Sequence, residues 1–282
     1  MDQTLLDDWK IHLVVRNRAP RTIEDYLKVA TAYTRWVEDG LTKRDIEAYL
    51  AHLITTGRSA AYVAKVYRTL QQFFKWLAEE EVIQDNPFQR MKPPSVPVKL
   101  IPLLDEDEIR RLLLVCLGRG FHDIRDTAII RVLLDTGVRV SELVNVIEVQ
   151  DFTMTVPGKG RKTRTVVFTS KTAEALRRYQ RARKKHPRAD LPNFWLGDNG
   201  ALTDSGVRQM LRRRGRQANV QNVHPHRFRH QFAHDWLAAG GSEGDLMRLA
   251  GWSSRVMLQR YGASGADQRA HDAYNQVMKN RY

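Results

Sequence analysis

MKPPSVPVKLIP, residues 91–102, holds four of the ten prolines in a chain of 282 residues. Proline fixes φ, lacks a backbone N–H and pushes the residue before it out of helical geometry. The stretch therefore reads as an extended linker, set at 92–104; a proline-rich loop inside a single domain is the alternative. The sequence on its two sides differs in kind, and that contrast sets the fold class. Residues 1–91 show helical patterns only. In LLDDWKIHLVV, Leu5, Trp9 and Leu13 fall on one face. RTIEDYLKVATAYTRWVEDG spaces Ile23, Tyr26, Leu27, Ala30, Tyr33 and Val37 for a second helix, with Gly40 closing it. Thr42 and Ser59 stand where N-caps of a third and fourth helix belong. A compact four-helix unit is expected.

Beyond the linker, residues 105–282 mix elements. DEDEIRRLLLVCLG opens with Asp105 and Glu108 in a capping-box pattern. FHDIRDTAIIRVLLDTG reads as a further helix, and VRVSELVNV starts another. DFTMTV and TRTVVFT are rich in β-branched residues and flank PGKGRK, which predicts a β-hairpin with a basic, glycine-containing turn. From residue 171 the chain is helical again. The expected fold is mainly α with a small β-hairpin or sheet.

Charge narrows the partner. Lys and Arg number 46 against 32 Asp and Glu, a formal +14. That excess attracts polyanions, nucleic acid first; a basic enzyme indifferent to DNA is the alternative. No apolar run approaches the roughly 20 residues of a spanning helix, and the acidic start MDQTLLDDWK is unlike a signal peptide. The single Cys116, in LLLVCLG, excludes an intrachain disulfide framework and reads as a core filler. A cytoplasmic protein with no membrane partner is expected.

Four segments carry candidate chemistry. DTGVRVSEL (135–143) places Arg139 just after Gly137 at a helix start; its planar fork suits phosphate oxygens. The plainer reading pairs it with Glu142. VPGKGRKTRTV (156–166) puts Lys159 at a hairpin tip, with Lys162 as a competitor; an ordinary basic turn is the alternative. HPHRFRHQFAHDWL (224–237) sets His226 and Arg229 three apart, so on a helix they share a face. His226, His230 and His234 also recur every four residues, which leaves open a metal-binding stripe. No HExxH pattern accompanies them, and His230 and His234 read as structural. LAGWSSRVMLQRYG (249–262) sets Tyr261 nine residues after Trp252. A lone tyrosine is ordinarily a buried aromatic; its place after an Arg, His and Arg set suggests more.

The order Arg139, Lys159, His226, Arg229, Trp252, Tyr261 resembles the phage integrase family of tyrosine recombinases, over nearly the whole chain. TGVRVSEL, GKG, PHRFRH and AGW followed by the tyrosine are similar to that family's motif boxes in spacing. The family's usual pattern has histidine where Trp252 stands, although some members carry tryptophan. An indole N–H can donate a hydrogen bond but cannot exchange a proton at neutral pH.

The resemblance implies an N-terminal SAM-like core-binding domain (1–91), a catalytic α+β domain (105–282), and a site-specific recombinase. It implies attack by Tyr261 on a DNA phosphodiester, giving a 3′-phosphotyrosine and a free 5′-hydroxyl, with no cofactor and no metal. Arg139 and Arg229 would clamp the phosphate, His226 would donate or take a proton, Lys159 would protonate the leaving oxygen, and Trp252 would donate a neutral hydrogen bond. Partners would be double-stranded DNA and four protomers on two DNA sites, with a Holliday-junction intermediate.

Lys65, Arg68, Lys75 and Lys162 are candidate phosphate contacts; a solvated helix face is the alternative for the first three. A helix over 262–282, with Ala270, Ala273, Tyr274 and Val277 as its apolar face, would dock on a neighbouring protomer or pack in cis. The layout is similar to short Xer-like recombinases without an arm-binding domain. Trp252 favours the integration, excision or resolution of a mobile element. Two rivals share the fold or the chemistry: a non-catalytic DNA-binding regulator and a type IB topoisomerase.

Overall fold

A computed structural model describes residues 3–37, 41–97, 101–158, 163–263 and 265–279, which fall into two compact units, Met1–Lys99 and Leu100–Tyr282.

The first unit is four helices around an aromatic core: α1 (Gln3–Val15), α2 (Pro20–Trp36), α3 (Lys43–Thr55) and α4 (Ala60–Glu79). Their apolar faces bury Trp9, Tyr33, Ile46, Leu70, Phe73 and Phe74 almost completely. On α1 Trp9 and Leu13 are buried as expected and Leu6 joins them, while Leu5 is only partly covered. Leu6, Trp9 and Leu13, three and four residues apart, share one face, and Leu5 lies about 100° away from Leu6 around the helix. Both expected caps are present. The Thr42 hydroxyl accepts from the Asp45 amide, and Asp45 returns the bond in a capping box; Ser59 accepts from the Tyr62 amide. Gly40 lies outside the described residues. A short 3₁₀ turn, Pro87–Arg90, brings Phe88 edge-on against Tyr67 at 5.1 Å. Residues 91–97 have no regular structure.

The second unit begins with α5 (Glu106–Leu114), capped by the Asp105–Glu108 box, then α6 (Phe121–Thr136) and α7 (Val140–Val144). A three-stranded antiparallel sheet follows, β1 (Glu148–Gln150), β2 (Thr153–Pro157) and β3 (Thr163–Val167), in the order β1-β2-β3. The expected hairpin is β2–β3, in register through Thr155↔Thr165, with Met154, Val156 and Val166 buried. The edge strand β1 was not foreseen: three residues are too few to show a period. Helices α8 (Ser170–Arg183), α9 (Asp204–Gln217), α10 (Pro225–Ala238), α11 (Glu243–Ala250), α12 (Arg255–Gly262) and α13 (Ala266–Lys279) complete it.

Helix α6 is the pillar, buried between α8 and α10. Its Asp126 is fully buried and accepts from Arg125, Arg213 and Arg214, while Arg214 also pairs with Asp123 at 2.7 Å. This network seats α9 against α6. Cys116 is buried in the same core, and burial pushes its thiol up to about 12, so the core-filler reading stands. Helix α13 buries none of its described residues; Tyr274 and Val277 are exposed. No helix among the described residues is long and apolar enough to cross a membrane.

Candidate active site

Three helix termini converge on one place. Helix α6 ends at Gly137, which adopts φ +54°, and its carbonyl accepts from Nη1 of Arg229 at 2.5 Å. A side chain at Gly137 would collide with Phe232 of α10, so the turn needs both the left-handed backbone and the missing Cβ. Helix α11 ends at Gly251, also left-handed, and the Ala250 carbonyl accepts from Nη2 of Arg229 at 2.5 Å. Two helix C-termini thus hold one guanidinium, as orphan carbonyls and a cation should. Arg229 is 1% exposed. Burial, and then the neighbouring Arg139, push its pKa down to about 10, which leaves it a cation at neutral pH.

Arg139 is the N-cap residue of α7. Its Nη1 donates to Glu142 Oε1 at 2.8 Å and its Nη2 to the Gly251 carbonyl at 3.2 Å, with the side chain 38% exposed. The plainer pairing with Glu142 is therefore real, yet it does not exhaust the guanidinium: of five N–H donors, these bonds use two. Glu142 is nearly buried, and its Oε2 accepts from the Arg139 amide at 2.9 Å and from Arg164 at 2.8 Å. Burial alone would raise its carboxyl, but Arg164 and Arg139 together hold it below the ordinary glutamate range.

Tyr261, on α12, is 7% exposed. Its ring stacks on Trp252 at 5.1 Å and 19°, and lies 4.4 Å from the His230 ring. The Arg229 guanidinium sits 5.1 Å from the Trp252 centroid and 5.5 Å from that of Tyr261. The Tyr261 hydroxyl is 3.3 Å from Nδ1 of His226, an exposed residue in the first turn of α10, whose N-terminal end favours anions. Trp252 Nε1 is buried without an acceptor among the described residues. The pocket is thus a row of cationic and neutral donors, open at His226 and Arg139 and floored by Arg229. One aromatic hydroxyl stands at its edge.

Five of the six candidate catalytic residues come together: Arg139, His226, Arg229, Trp252 and Tyr261. Lys159 and Lys162 lie outside the described residues, between strands paired through Pro157↔Thr163. The three spaced histidines have separate tasks. His226 faces the Tyr261 hydroxyl, His230 is buried under the Tyr261 ring, and His234 meets Arg269 of α13 at 3.0 Å. Among the described residues no group of three or more His, Cys, Asp or Glu side chains could hold a metal. Lys65, Arg68 and Lys75 lie in the first unit, along the less buried side of α4; Lys65 pairs with Asp25 and Lys75 with Glu79 across 3.2 and 3.6 Å.

Sequence reasoning missed several residues. Arg164 and Glu142 act as a pair that only folding brings together. A groove on α9 is lined by Arg208, Arg212, Arg216 and His224, and His224 lies beside His226 (ring centroids 6.4 Å apart). The run RQMLRRRGRQ (208–217) is conspicuous in the sequence for its charge, and the four-residue spacing of Arg208, Arg212 and Arg216 places them on one helix face.

The family described as "Phage integrase family" matches residues 102–268, and "Phage integrase, N-terminal SAM-like domain" matches residues 5–84. A tyrosine recombinase XerC of Bacillus pumilus is 30% identical over 267 residues, covering 88% of this chain and 87% of that protein. The crystal structure of XerA recombinase is 25% identical, with a TM-score of 0.55 over 97% of this chain and 98% of that one. A lambda integrase tetramer bound to a Holliday junction is 18% identical, with a TM-score of 0.72 over 92% of this chain and 76% of that one, a likeness of fold.

Proposed function

The chain belongs to the phage integrase family and is a site-specific tyrosine recombinase, and on that premise we propose that Tyr261 is its nucleophile. The observation that carries the assignment is the Tyr261 hydroxyl, 3.3 Å from His226 Nδ1, with its ring against the Arg229 guanidinium. The phenolic oxygen attacks the scissile phosphorus and its proton passes to His226. The bond to the 5′-oxygen breaks, and Lys159 supplies the proton that makes that oxygen a hydroxyl. Negative charge grows on the nonbridging oxygens, where Arg139 and Arg229 donate from positions already held by helix ends; such preorganised donors do not have to reorient during the reaction. Trp252 offers Nε1–H as a neutral donor. The 3′-phosphotyrosyl ester keeps the bond energy, so rejoining is the same displacement run backwards with a 5′-hydroxyl as nucleophile.

The residues around 1–91 are proposed as the core-binding domain and 105–282 as the catalytic domain. Lys65, Arg68 and Lys75 on α4, Lys162, and the arginines of the α9 groove are proposed phosphate contacts on double-stranded DNA. Self-association as four protomers on two sites accords with the fold shared with the tetrameric lambda integrase complex and with the uncovered apolar face of α13. The task proposed is integration, excision or resolution of a mobile element, carried out in the cytoplasm.

The test is covalent trapping on a nicked duplex drawn from DNA flanking the gene. The wild-type protein should give a denaturant-resistant adduct that maps to Tyr261. Tyr261→Phe should bind the same duplex and give none; adduct from that variant would sink the assignment.

A further inference from the structure

We infer that Arg164 is a positioning residue for the phosphate clamp: it occupies one oxygen of Glu142 and so keeps the Arg139 guanidinium available to DNA. The inference rests on the proposed role of Arg139.

Arg164 lies on β3, in the strand that follows the segment bearing Lys159 and Lys162, yet its side chain leaves the sheet. Nη2 donates to Glu142 Oε2 at 2.8 Å, and Nη1 donates to the Leu249 carbonyl near the end of α11. The side chain runs against Gly251, where a Cβ would come within 2.9 Å of its Nε. One residue thus ties three elements together: the β2–β3 hairpin, the start of α7 with Arg139, and the α11 terminus that leads to Trp252.

Two physical consequences follow. The first is geometric. An arginine with both carboxylate oxygens open to it often closes on the pair in a two-pronged bond. Here Oε2 is taken by Arg164 and the Arg139 amide, so the Arg139 side chain engages only Oε1, through Nη1. Its second nitrogen stays turned towards Gly251 and the pocket. The second is electrostatic. Arg139 and Glu142 alone would be a neutral pair beside the phosphate. With Arg164 the trio carries one net positive charge, and its Glu142 and Arg164 side chains are largely buried, where charges are less screened.

The test is a double-substitution cycle read as the single-turnover rate of adduct formation, with duplex affinity measured alongside. Arg164→Met should slow cleavage by about tenfold or more, short of the roughly 10²–10³ for a donor removed outright, with duplex affinity little changed. Adding Glu142→Gln removes the uncompensated carboxylate, so the double variant should cleave faster than Arg164→Met. Where Arg164→Met does not fold, Arg164→Gln carries the same expectation. Wild-type cleavage by the Arg164 variant overturns the inference. So does a double variant no faster than Arg164→Met, since loss of mere scaffolding would not be relieved at Glu142. Arg139→Ala separates the premise: its cleavage at the wild-type rate refutes the clamp itself, whereas a slow Arg139→Ala beside a fast Arg164→Met refutes only the role of Arg164.

Discussion

His224 stands two residues before His226 and faces different surroundings. It is the N-cap residue of α10, part of the α9 groove, and its pKa is held below the ordinary 6.5 first by burial and then by Arg227, Arg208 and Arg212. A histidine with a depressed folded pKa takes up its proton more readily unfolded. Its contribution to stability is therefore complete above about 6.5 and is lost as pH falls from there through the folded value. The unfolding midpoint of the wild type should drop over that window, and His224→Asn, which places a residue suited to the N-cap position there, should flatten the drop. Parallel pH profiles for the two proteins in a denaturant titration would refute this account. Trp252 is the other residue whose surroundings decide its part. An indole in the place of the family's histidine offers one fixed donor and a flat face, and the structure uses the face to stack Tyr261. The proposed mechanism leaves proton transfer to His226 and Lys159.

Among the elements, α9 and α6 show how charge is folded inside. Arg213 and Arg214 sit in a strongly basic run, yet Arg214 is 5% exposed and bonds Asp126, Asp123 and the Val115 carbonyl. Breaking a buried pair leaves an uncompensated charge, which costs about 3–5 kcal/mol. Asp126→Asn should therefore lower the unfolding free energy by roughly that amount, measured by urea denaturation; a loss under about 1 kcal/mol, the scale of a surface pair, would show the network to be dispensable. Helix α10 carries a comparable device on its other side. Arg227 donates to the carbonyls of Pro102 and Leu103 and to Glu108, and the Gln231 side chain accepts from the Leu104 amide at 2.7 Å. The helix that presents His226 and Arg229 to the pocket thus also anchors the chain where it enters the second unit.

At the scale of the whole molecule, the formal charge of +14 is the leading fact. Binding to a recognised duplex should release counterions from each neutralised phosphate. For 6–10 phosphate contacts, affinity should fall by about 10³–10⁵ between 50 and 200 mM salt. A fluorescence-anisotropy titration reads this slope directly, and a flat response would contradict a clamp built from basic surfaces. The steepness depends on how many arginines remain free, and the structure already commits several internally, Arg125, Arg214 and Arg227 among them.

The amino-acid sequence by itself determined the helical first unit, the β2–β3 hairpin and most helix starts. Amphipathic spacing, capping residues and β-branched runs are local signals, and local hydrogen bonds and sterics act on them directly. It also marked Arg139, His226, Arg229, Trp252 and Tyr261, because their motifs have a recognisable order. What only the tertiary structure decided are the relations among residues distant in the chain. Glu142 is held by Arg164 across 22 residues, Arg229 is gripped by carbonyls of Gly137 and Ala250, and Asp126 gathers arginines from α9. Burial converts such pairs from weak surface attractions into strong constraints. No period or propensity along the chain encodes which distant partner a buried charge will find.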